Sequence, residues 1–271
     1  MRLSESGELG LLAEPERLGL IVGVQHDAAQ LGGDVVVTQD ALVEGVHFRL
    51  DWLSWRDLGW RAAAVNLSDL AASGAVAEAL LVTLVAPAAT RTDDVVELYQ
   101  GLAETRVPVV GGDTTQGPAL VVSVTALGRS ARVPGRTGAQ PGDALVVTGA
   151  LGAAGAAFRE QRYVRPPLRL AEGRSLAAHA HALMDISDGL GVDAGHIARR
   201  SGVRCVLELD RVPLAAGATI DDLAFGEDYE LLAAVAEPGE LAVIGRVEAG
   251  EGVLALRDGE PVELAGWQHF V

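Results

Sequence analysis

The 271-residue sequence contains no lysine, since all 21 of its basic residues are arginine. This absence excludes chemistry that needs a lysine amine: a Schiff base, the phosphate contact of a P-loop lysine or a lysine adenylate. Any bound phosphate must be held by arginine, backbone amides or a metal ion. The 37 acidic residues give a formal net charge of -16, and such a chain repels nucleic acid and anionic lipid. We therefore expect neither partner.

The sequence also has little cysteine and no long apolar run. Cys205 is the single cysteine and lies in the apolar stretch 203–209, so a disulfide within the chain is impossible and the thiol is predicted to fill the core. The longest apolar stretch, residues 80–86, is too short to cross a bilayer, and the N-terminal residues lack the pattern of a signal peptide. We expect a cytoplasmic protein.

The remaining composition, with 49% hydrophobic and 21% charged residues, is typical of a folded globular protein. Apolar runs of strand length alternate with helical patterns along the whole chain, which predicts an α/β or α+β fold. Residues 129–142 are rich in arginine, proline and glycine, as linkers between domains are. We place the boundary there and predict two domains, 1–134 and 135–271.

The patterns predict particular elements in each half. A helix is expected over 55–73, ending at Gly74, and a second over 93–105 with Thr92 as its cap. In the second half, helices are expected after the strand at 144–148, near 174–183 and over 190–200. The remaining predicted strands are 20–24, 34–38, 80–85, 107–110, 120–127, 203–209, 230–236 and 243–247.

Six aspartates stand among small residues at the ends of apolar strands or in helix turns. Any one of them could be a turn or capping residue. Together they favour a site, because a carboxylate buried without a partner is costly. They are Asp27, Asp40, Asp69, Asp113, Asp185 and Asp188.

A hard divalent cation is the natural partner of such carboxylates in a chain without lysine. Mg²⁺ binds a few carboxylates and completes its shell with water and phosphate oxygens. The six histidines are scattered, which argues against zinc, and we interpret His179, His181 and His196 as surface or capping residues. We therefore predict magnesium and expect the aspartates to converge on one cleft.

Two short motifs add places for phosphate. Asp185 and Asp188 are three residues apart, so on one helical turn their carboxylates point the same way, just before the helix predicted from Leu190. The run GGDTT at 111–115 follows a predicted strand and lets backbone amides approach an anion. The spacing of TGALGAAG at 148–155 is wrong for a dinucleotide site, and we find no nucleophile triad.

Seven motifs in the chain resemble those of the thiamine-monophosphate kinase family, in that family's order. Some of them are shared with the wider superfamily of enzymes like aminoimidazole ribonucleotide synthetase, whereas VEGVHF, GEDYEL and the C-terminal aromatic segment are more particular to the kinases. The motifs are TQDALVEGVHF (38–48), AVNLSDLAASGA (64–75), VVGGDTT (109–115), GRTGAQPGDALVVTG (135–149), MDISDGL (184–190), FGEDYELL (225–232) and GWQHF (266–270).

This resemblance implies an N-terminal domain that binds ATP and magnesium and dimerises through its sheet, and a C-terminal α/β domain that completes the active-site cleft. It implies transfer of the ATP γ-phosphate to thiamine monophosphate, giving thiamine diphosphate, with several Mg²⁺ ions and no catalytic general base. The implied magnesium ligands are Asp27, Thr38, Asp40, Asp69, Asp113, Asp185 and Asp188. The implied ATP contacts are Gly112, Asp113, Arg136, Ser187 and Tyr99, and the implied thiamine contacts are His47, Glu227 and Trp267.

The chemistry of the residues agrees with that reading. The acceptor phosphate is already an anion near neutral pH, so it needs relief of charge repulsion more than a base. Glu227 could pair with the cationic thiazolium, and either Trp267 or Phe270 could stack on it. The chain departs from the family pattern at His26, where an aspartate is usual, and at Gln39, where a threonine is usual.

Two other functions remain open from the sequence. One is a related ATP-dependent ligase that closes a ring on a ribonucleotide. The other is a degenerate protein that binds nucleotide without turnover, its metal sites weakened at His26 and Gln39.

Overall fold

The computed structural model describes residues 15–21 and 26–267, so most of the strand predicted at 20–24 lies outside the described residues. The chain builds two β-sheets, each packed against helices. All strands of the first sheet precede residue 130, and those of the second follow residue 143. No helix among the described residues has the length and apolar character needed to cross a membrane.

The first sheet has the strand order β1-β2-β5-β3-β4. Its pairs are antiparallel except β3 with β4, which run parallel. Helices α1 (Trp55–Ala72) and α2 (Thr92–Glu104) belong to this half. The strands are β1 (Ala29–Gly32), β2 (Val35–Val43), β3 (Val76–Ala86), β4 (Val109–Gln116) and β5 (Val121–Arg129).

Helix α1 confirms the helix predicted over 55–73. Ser54 caps its first turn, where the Ser54 side chain accepts a hydrogen bond from the Asp57 backbone N–H. The chain turns out of the helix at Gly74, whose φ of 64° suits glycine. The predicted cap of α2 is wrong: Thr92 is the first helical residue, and Arg91 occupies the cap position without a side-chain hydrogen bond.

Two glycines let α1 and α2 pack unusually close. A Cβ built on Gly59 would lie 1.9 Å from the backbone oxygen of Leu98, and one on Gly101 would lie 1.9 Å from that of Arg56. Neither site has room for any side chain. The two helices therefore meet backbone to backbone.

The second sheet has the order β12-β11-β8-β10-β6-β9-β7. The chain also forms helices α3 (Ala153–Arg159), α4 (Leu170–Ala177) and α5 (Leu190–Ser201) and two short 3-10 helices, Leu209–Arg211 and Ile220–Ala224. The strands are β6 (Ala144–Val147), β7 (Ala182–Asp185), β8 (Arg204–Glu208), β9 (Leu231–Val235), β10 (Ala242–Glu248), β11 (Gly252–Arg257) and β12 (Glu260–Val262).

The structure corrects one predicted helix and confirms the role of the cysteine. The helix expected over 174–183 ends at Ala177, and the fully buried strand β7 begins at Ala182. Cys205 lies on β8 with no exposed surface. Burial raises the pKa of its thiol to about 12, so it is an inert core residue.

Apolar side chains cover both faces of the second sheet. On one face, Ile197 of α5 packs in the same core as Leu207 and Ile244. On the other, Ala71 and Ala72 from the end of α1 join a core with Leu183 of β7. Helix α1 therefore contacts both sheets and joins the two halves of the chain.

Among the described residues, the helices cover one face of the first sheet and leave the other open. Leu58 and Leu67 of α1 pack against its buried strand residues. The edge strand β4 is exposed at every residue after its first. Leu81 of β3 is 38% exposed and Val110 of β4 is 63% exposed. This half therefore presents an open, partly apolar face.

Candidate active site

Three aspartates meet where α1 passes between the two sheets. Asp69 lies near the end of α1, Asp185 ends β7 of the second sheet, and Asp27 lies just before β1 of the first. Each offers a carboxylate oxygen, and these oxygens lie within 4.8 Å of one another. We call Asp27, Asp69 and Asp185 the aspartate triad. The sequence prediction that the aspartates converge is met for these three, but it is wrong for Asp113, which lies on the exposed strand β4 of this chain.

Two neighbouring residues of α1, Ser68 and Asp69, each form a hydrogen bond with a residue of a different sheet. The Ser68 hydroxyl donates a hydrogen bond of 2.6 Å to Asp185 Oδ2. The Thr38 hydroxyl on β2 donates one of 2.5 Å to Asp69 Oδ2. Successive positions on one helix thus fix the triad against both halves of the chain.

Asp40 and Asp188 extend the acidic group beyond the triad. The backbone N–H of Asp40 donates to Asn66 Oδ1 of α1 at 3.0 Å. Burial, followed by the charge of Asp188, raises the pKa of Asp40 to about 6. We call the triad together with Asp40 and Asp188 the acidic row.

Burial first, and then mutual repulsion, raise the pKa values of these carboxylates. Burial first and then the charge of Asp27 raise the pKa of Asp185 to about 8. The pKa of Asp69 is raised well above its ordinary value by burial and by the charges of Asp185, Asp40 and Asp27. A divalent cation would relieve this repulsion, and a site made of carboxylate oxygens suits Mg²⁺.

An arginine stands at one end of the acidic row. Arg136 Nε and Nη2 both donate to Asp27 Oδ1, at 3.1 and 2.6 Å. The pKa of Asp27 is raised by burial, although Arg136 opposes that rise. Since the resemblance implies that Arg136 contacts ATP, the structure places a predicted phosphate ligand directly on the triad.

A second arginine, which the sequence analysis missed, stands at the other end. Arg61 of α1 forms an ion pair with Glu227, and only 7% of its side chain is exposed. Its Nε is buried with no partner among the described residues, and its guanidinium lies 5.8 Å from the ring centre of Tyr163. Burial raises the pKa of Glu227, although Arg61 opposes the rise. The one signal available was an arginine within a buried helical stretch.

The loop between β7 and α5 supports the residues at this end. The Glu227 N–H donates to the Ser187 carbonyl at 2.8 Å, and the Trp267 N–H donates to the Asp188 carbonyl at 2.8 Å. Asp185 is the last residue of strand β7, and Asp188 lies in the loop that follows. The prediction that they share one helical turn is wrong, although both face the same site.

Trp267 lines a cavity of about 560 Å³ next to this loop. Phe158 and Phe225 form part of its wall, with ring centres 4.9 Å apart. Asp222 also lines it and is paired with Arg159 at 2.7 Å. The other predicted aromatic contact, Phe270, lies outside the described residues.

The acids of the GEDYEL motif have separate roles. Glu227 faces Arg61, whereas Asp228 accepts hydrogen bonds of 2.8 and 3.0 Å from the Gly152 N–H at the start of α3. Glu230 pairs with Arg169 at 2.6 Å. The motif therefore places one carboxylate towards the site and uses two to fix its surroundings.

Four predicted residues lie elsewhere in this single chain. Gly112 and Asp113 lie on the exposed strand β4, where Asp113 aligns with Thr83 on the open face of the sheet. Tyr99 lines a separate shallow depression on α2. His47 Nδ1 accepts a hydrogen bond from the Val43 N–H in the turn after β2. Their implied ligand contacts stay predictions.

The two departures from the family pattern have different surroundings. Gln39 bonds to Ser123 at 3.2 Å on the open face of the sheet, opposite to Asp40. The His26 ring packs against Gly135, and its buried Nδ1 has no partner among the described residues. Burial is the main cause that lowers the pKa of His26. Its neutral ring stands beside Asp27 without adding a charge to the triad.

Comparison with known proteins identifies the family. The model of the AIR synthase related protein N-terminal domain matches residues 25–130, and that of the C-terminal domain matches residues 140–253. The thiamine-monophosphate kinase of Aquifex aeolicus is 33% identical over 311 aligned residues, covering 100% of both chains. This chain belongs to the thiamine-monophosphate kinase family.

Further thiamine-monophosphate kinases support the assignment. That of Mycobacterium tuberculosis is 36% identical over 93% of this chain and 86% of its own. A solved structure described as AaThiL complexed with AMPPCP and TMP superposes with a TM-score of 0.90 at 33% identity, covering 99% of each chain. The predicted family resemblance and fold class are confirmed.

One group of side chains in this family member was not foreseen. Asp188, Asp193 and His196 each offer a ligand atom, and these atoms lie within 4.8 Å of one another. The interpretation of His196 as a surface or capping residue is wrong, because its ring is half-buried beside two acids. Burial, followed by the charge of Arg136, lowers its pKa to about 4.

Proposed function

We propose that this chain transfers the γ-phosphoryl group of ATP to the phosphate of thiamine monophosphate, giving thiamine diphosphate, with several Mg²⁺ ions. The observation that carries the proposal is the aspartate triad, with Arg136 at one end of its acidic row and Arg61 with Glu227 at the other. The activity is that of the family to which the chain belongs.

The triad fits magnesium because its ligand atoms are all carboxylate oxygens. Asp27, Asp69 and Asp185 would hold one ion, with Thr38, Asp40, Asp113 and Asp188 as the further predicted ligands. Bound magnesium would neutralise the phosphate oxygens and bring the two anionic substrates together. The residues supply position and charge, and no side chain needs to act as a base.

Arg136 defines the ATP end in this proposal. In the ligand-free chain it neutralises Asp27. A triphosphate offers the same guanidinium several anionic oxygens and bidentate geometry. We propose that Arg136 turns from Asp27 to the nucleotide, and that a metal ion then neutralises the Asp27 carboxylate in place of Arg136. Gly112, Ser187 and Tyr99 are the other proposed ATP contacts.

Glu227 and Trp267 define the acceptor end. Arg61 contacts Oε1 of Glu227, so the carboxylate keeps a second oxygen with which to meet a cation. The indole of Trp267 is half exposed and lines the adjoining cavity. A cationic thiazolium matches both groups. His47 is the third proposed thiamine contact.

We further propose that residues 1–134 and 135–271 act as two domains, that two copies pair through the open face of the first sheet, and that the protein works in the cytoplasm. The exposed Leu81 and Val110 on neighbouring strands support the pairing, since an apolar sheet face and an unpaired edge favour association.

The test is a reaction of the purified protein with ATP, Mg²⁺ and thiamine monophosphate, followed by phosphorus NMR. We expect ADP and thiamine diphosphate in equal amounts, without release of inorganic phosphate. A ring-closing ligase would release inorganic phosphate and would need a ribonucleotide. A degenerate protein would bind ATP in calorimetry and form no product. Either result would overturn the proposal.

A further inference from the structure

The three side chains Asp188, Asp193 and His196 form a group beside the aspartate triad but separate from it. Asp188 lies in the loop before α5, whereas Asp193 and His196 lie three residues apart on α5 and so on the same side of that helix. Their ligand atoms lie within 4.8 Å of one another. Atoms this near to one another can share a metal ion with bonds of about 2.1 Å.

Asp193 provides an independent sign that a ligand is needed. Only 1% of its surface is exposed. Its Oδ2 accepts a hydrogen bond of 3.1 Å from the Asp188 N–H, but its Oδ1 is buried with no partner among the described residues. A buried carboxylate oxygen without a donor is costly, and a bound cation would remove that cost.

His196 determines the kind of cation. An imidazole nitrogen with two carboxylates is a donor set that suits manganese, iron, cobalt or zinc, whereas Mg²⁺ prefers oxygen alone. The triad contains no nitrogen ligand. The two groups therefore differ in chemistry as well as in position.

We propose that Asp188, Asp193 and His196 form a second metal site that binds a divalent transition metal through two carboxylates and one imidazole. The site shares Asp188 with the proposed magnesium ligands and adds Asp193 and His196, and metal binding there does not depend on the proposed reaction. Arg199 competes with the metal: its Nη2 lies 3.2 Å from His196 Nδ1. An arginine can only donate, so this contact occupies the free nitrogen lone pair of the neutral ring.

The test uses the full-length protein with Mn²⁺ as the probe and without nucleotide. Electron spin echo envelope modulation detects nitrogen bound directly to Mn²⁺. The measurement is made in a His26→Gln protein, so that the histidine beside Asp27 contributes no signal. We expect nitrogen modulation in this protein, its loss in His196→Gln, and its retention in the matched control His179→Gln, since His179 is exposed on the surface.

Asp193→Asn separates metal binding from a purely structural role. The asparagine oxygen can still accept from the Asp188 N–H, so the loop keeps its hydrogen bond while the site loses a charge. We expect weaker Mn²⁺ binding at the nitrogen-containing site with an unchanged circular dichroism spectrum. Arg199→Ala should strengthen binding, because it removes the competing donor.

Either of two results would overturn the site: no nitrogen modulation in the His26→Gln protein, or modulation that persists after His196→Gln. Unchanged Mn²⁺ affinity in Asp193→Asn would also count against it. None of these readouts requires turnover, so they stand apart from a failure of the kinase assay.

Discussion

At the scale of single residues, the site is a set of buried charges with an arginine at each end. The acidic row includes Asp69 and Asp185, whose pKa values are raised chiefly by burial. Arg136 and Arg61 each neutralise one carboxylate near its ends. In a chain without lysine, these two arginines supply side-chain positive charge at the site, and their partners Asp27 and Glu227 are the residues implied to meet metal and substrate.

The first prediction concerns the centre of the triad. Asp69→Asn should lower kcat by about 100-fold or more, because a proposed metal ligand is replaced by a neutral amide. The fold should persist, since the change removes repulsion from Asp185, Asp40 and Asp27. Steady-state kinetics at saturating Mg²⁺ and thermal unfolding measure the two effects. The exposed Asp93→Asn is the matched control, and undiminished turnover in Asp69→Asn would contradict the proposed role of the triad.

The second prediction concerns Arg61 as a positioning residue. Without the guanidinium of Arg61, the pKa of the half-buried Glu227 rises further, so Glu227 becomes protonated at a higher pH. Binding of a cationic thiazolium then weakens as the pH falls. In Arg61→Gln, the KM for thiamine monophosphate should increase more at pH 6.5 than at pH 8.5, while the KM for ATP changes little.

A pH series of both KM values tests this, with the exposed Arg91→Gln as control. Partial rescue by Arg61→Lys is expected, because lysine restores the charge without the fork geometry. A rise in both KM values that is equal at all pH values would indicate a general structural defect and contradict the positioning role.

At the scale of elements, α1 organises the site. It carries Arg61, Asn66, Ser68 and Asp69, and it packs against α2 on one side and against α4 on another. A Cβ on Gly173 of α4 would lie 2.1 Å from the Ala71 carbonyl oxygen. Close backbone contacts therefore fix the helix along much of its length.

The third prediction tests these contacts. Replacing a helical glycine by alanine usually stabilises a helix by about 0.5 to 1 kcal/mol. Gly59→Ala should instead destabilise the protein by about 1 to 3 kcal/mol, because its Cβ would overlap the Leu98 backbone. Urea unfolding measures the change. Gly195→Ala is the matched control, since its Cβ would meet the flexible end of Arg199, and this variant should be neutral or stabilised.

The sequence predicted elements where the local pattern and the tertiary environment agree. The helix at 55–73 has a clear cap and a glycine stop, and α1 matches it. Strand β4 runs six residues beyond the predicted end at Val110, because pairing with β3 supplies its hydrogen bonds despite two glycines. Strand β7 is four residues long and wholly buried, so its apolar run has no alternation to distinguish it from helix.

Site residues, like the helices and strands, could be predicted only where the local sequence carried a signal. Aspartates at strand ends among small residues signalled the triad without any knowledge of pairing. Arg61 and His196 gave no such signal, because the residues they meet come from other elements: Glu227 from beyond β7, and Asp188 from the loop before α5. The spacing of residues within one segment does not predict such contacts between distant segments.

At the scale of the whole molecule, two sheets share one acidic interface in a chain of net charge -16. Burying like charges there must cost stability unless protons or cations compensate. The magnitude of that cost depends on pH and on metal. Both dependences can be measured without any substrate.

The fourth prediction follows from the sign of the pKa shifts. A carboxyl group whose pKa is higher in the folded protein binds its proton more tightly there, so raising the pH through the folded pKa removes stability. The pKa values of Asp40 and Asp185 are raised to about 6 and about 8. The Tm of the metal-free protein should therefore fall between pH 5 and 9.

Magnesium should reduce this fall, because it replaces the protons. Thermal scans at each pH, with Mg²⁺ or with a chelator, test the prediction, and Asp185→Asn should show a smaller pH dependence without metal. A Tm that rises with pH in the chelated protein would contradict the assignment of the raised pKa values.

The fifth prediction concerns pairing of two copies. If the open face of the first sheet is the dimer interface, Leu81→Glu should shift the protein from dimer to monomer, because it places a charge in an apolar contact. Sedimentation velocity measures the change. Phe158→Glu is a control, since Phe158 is 51% exposed but lies in the second half of the chain. A natural protein that sediments as a monomer would contradict the interface.

Hydrogen bonds join Ser68 to Asp185 of the second sheet and Asp69 to Thr38 of the first. Helix α1 therefore lies where an axis of rotation between the two sheets would pass. Points near an axis of rotation move least. Any rocking of one sheet against the other about this helix would displace the triad little, while Arg136 and Glu227, towards the ends of the acidic row, would travel further. In the proposed reaction, substrates would then enter and leave by movements that widen the two ends, while the aspartates proposed to hold the metal keep their spacing.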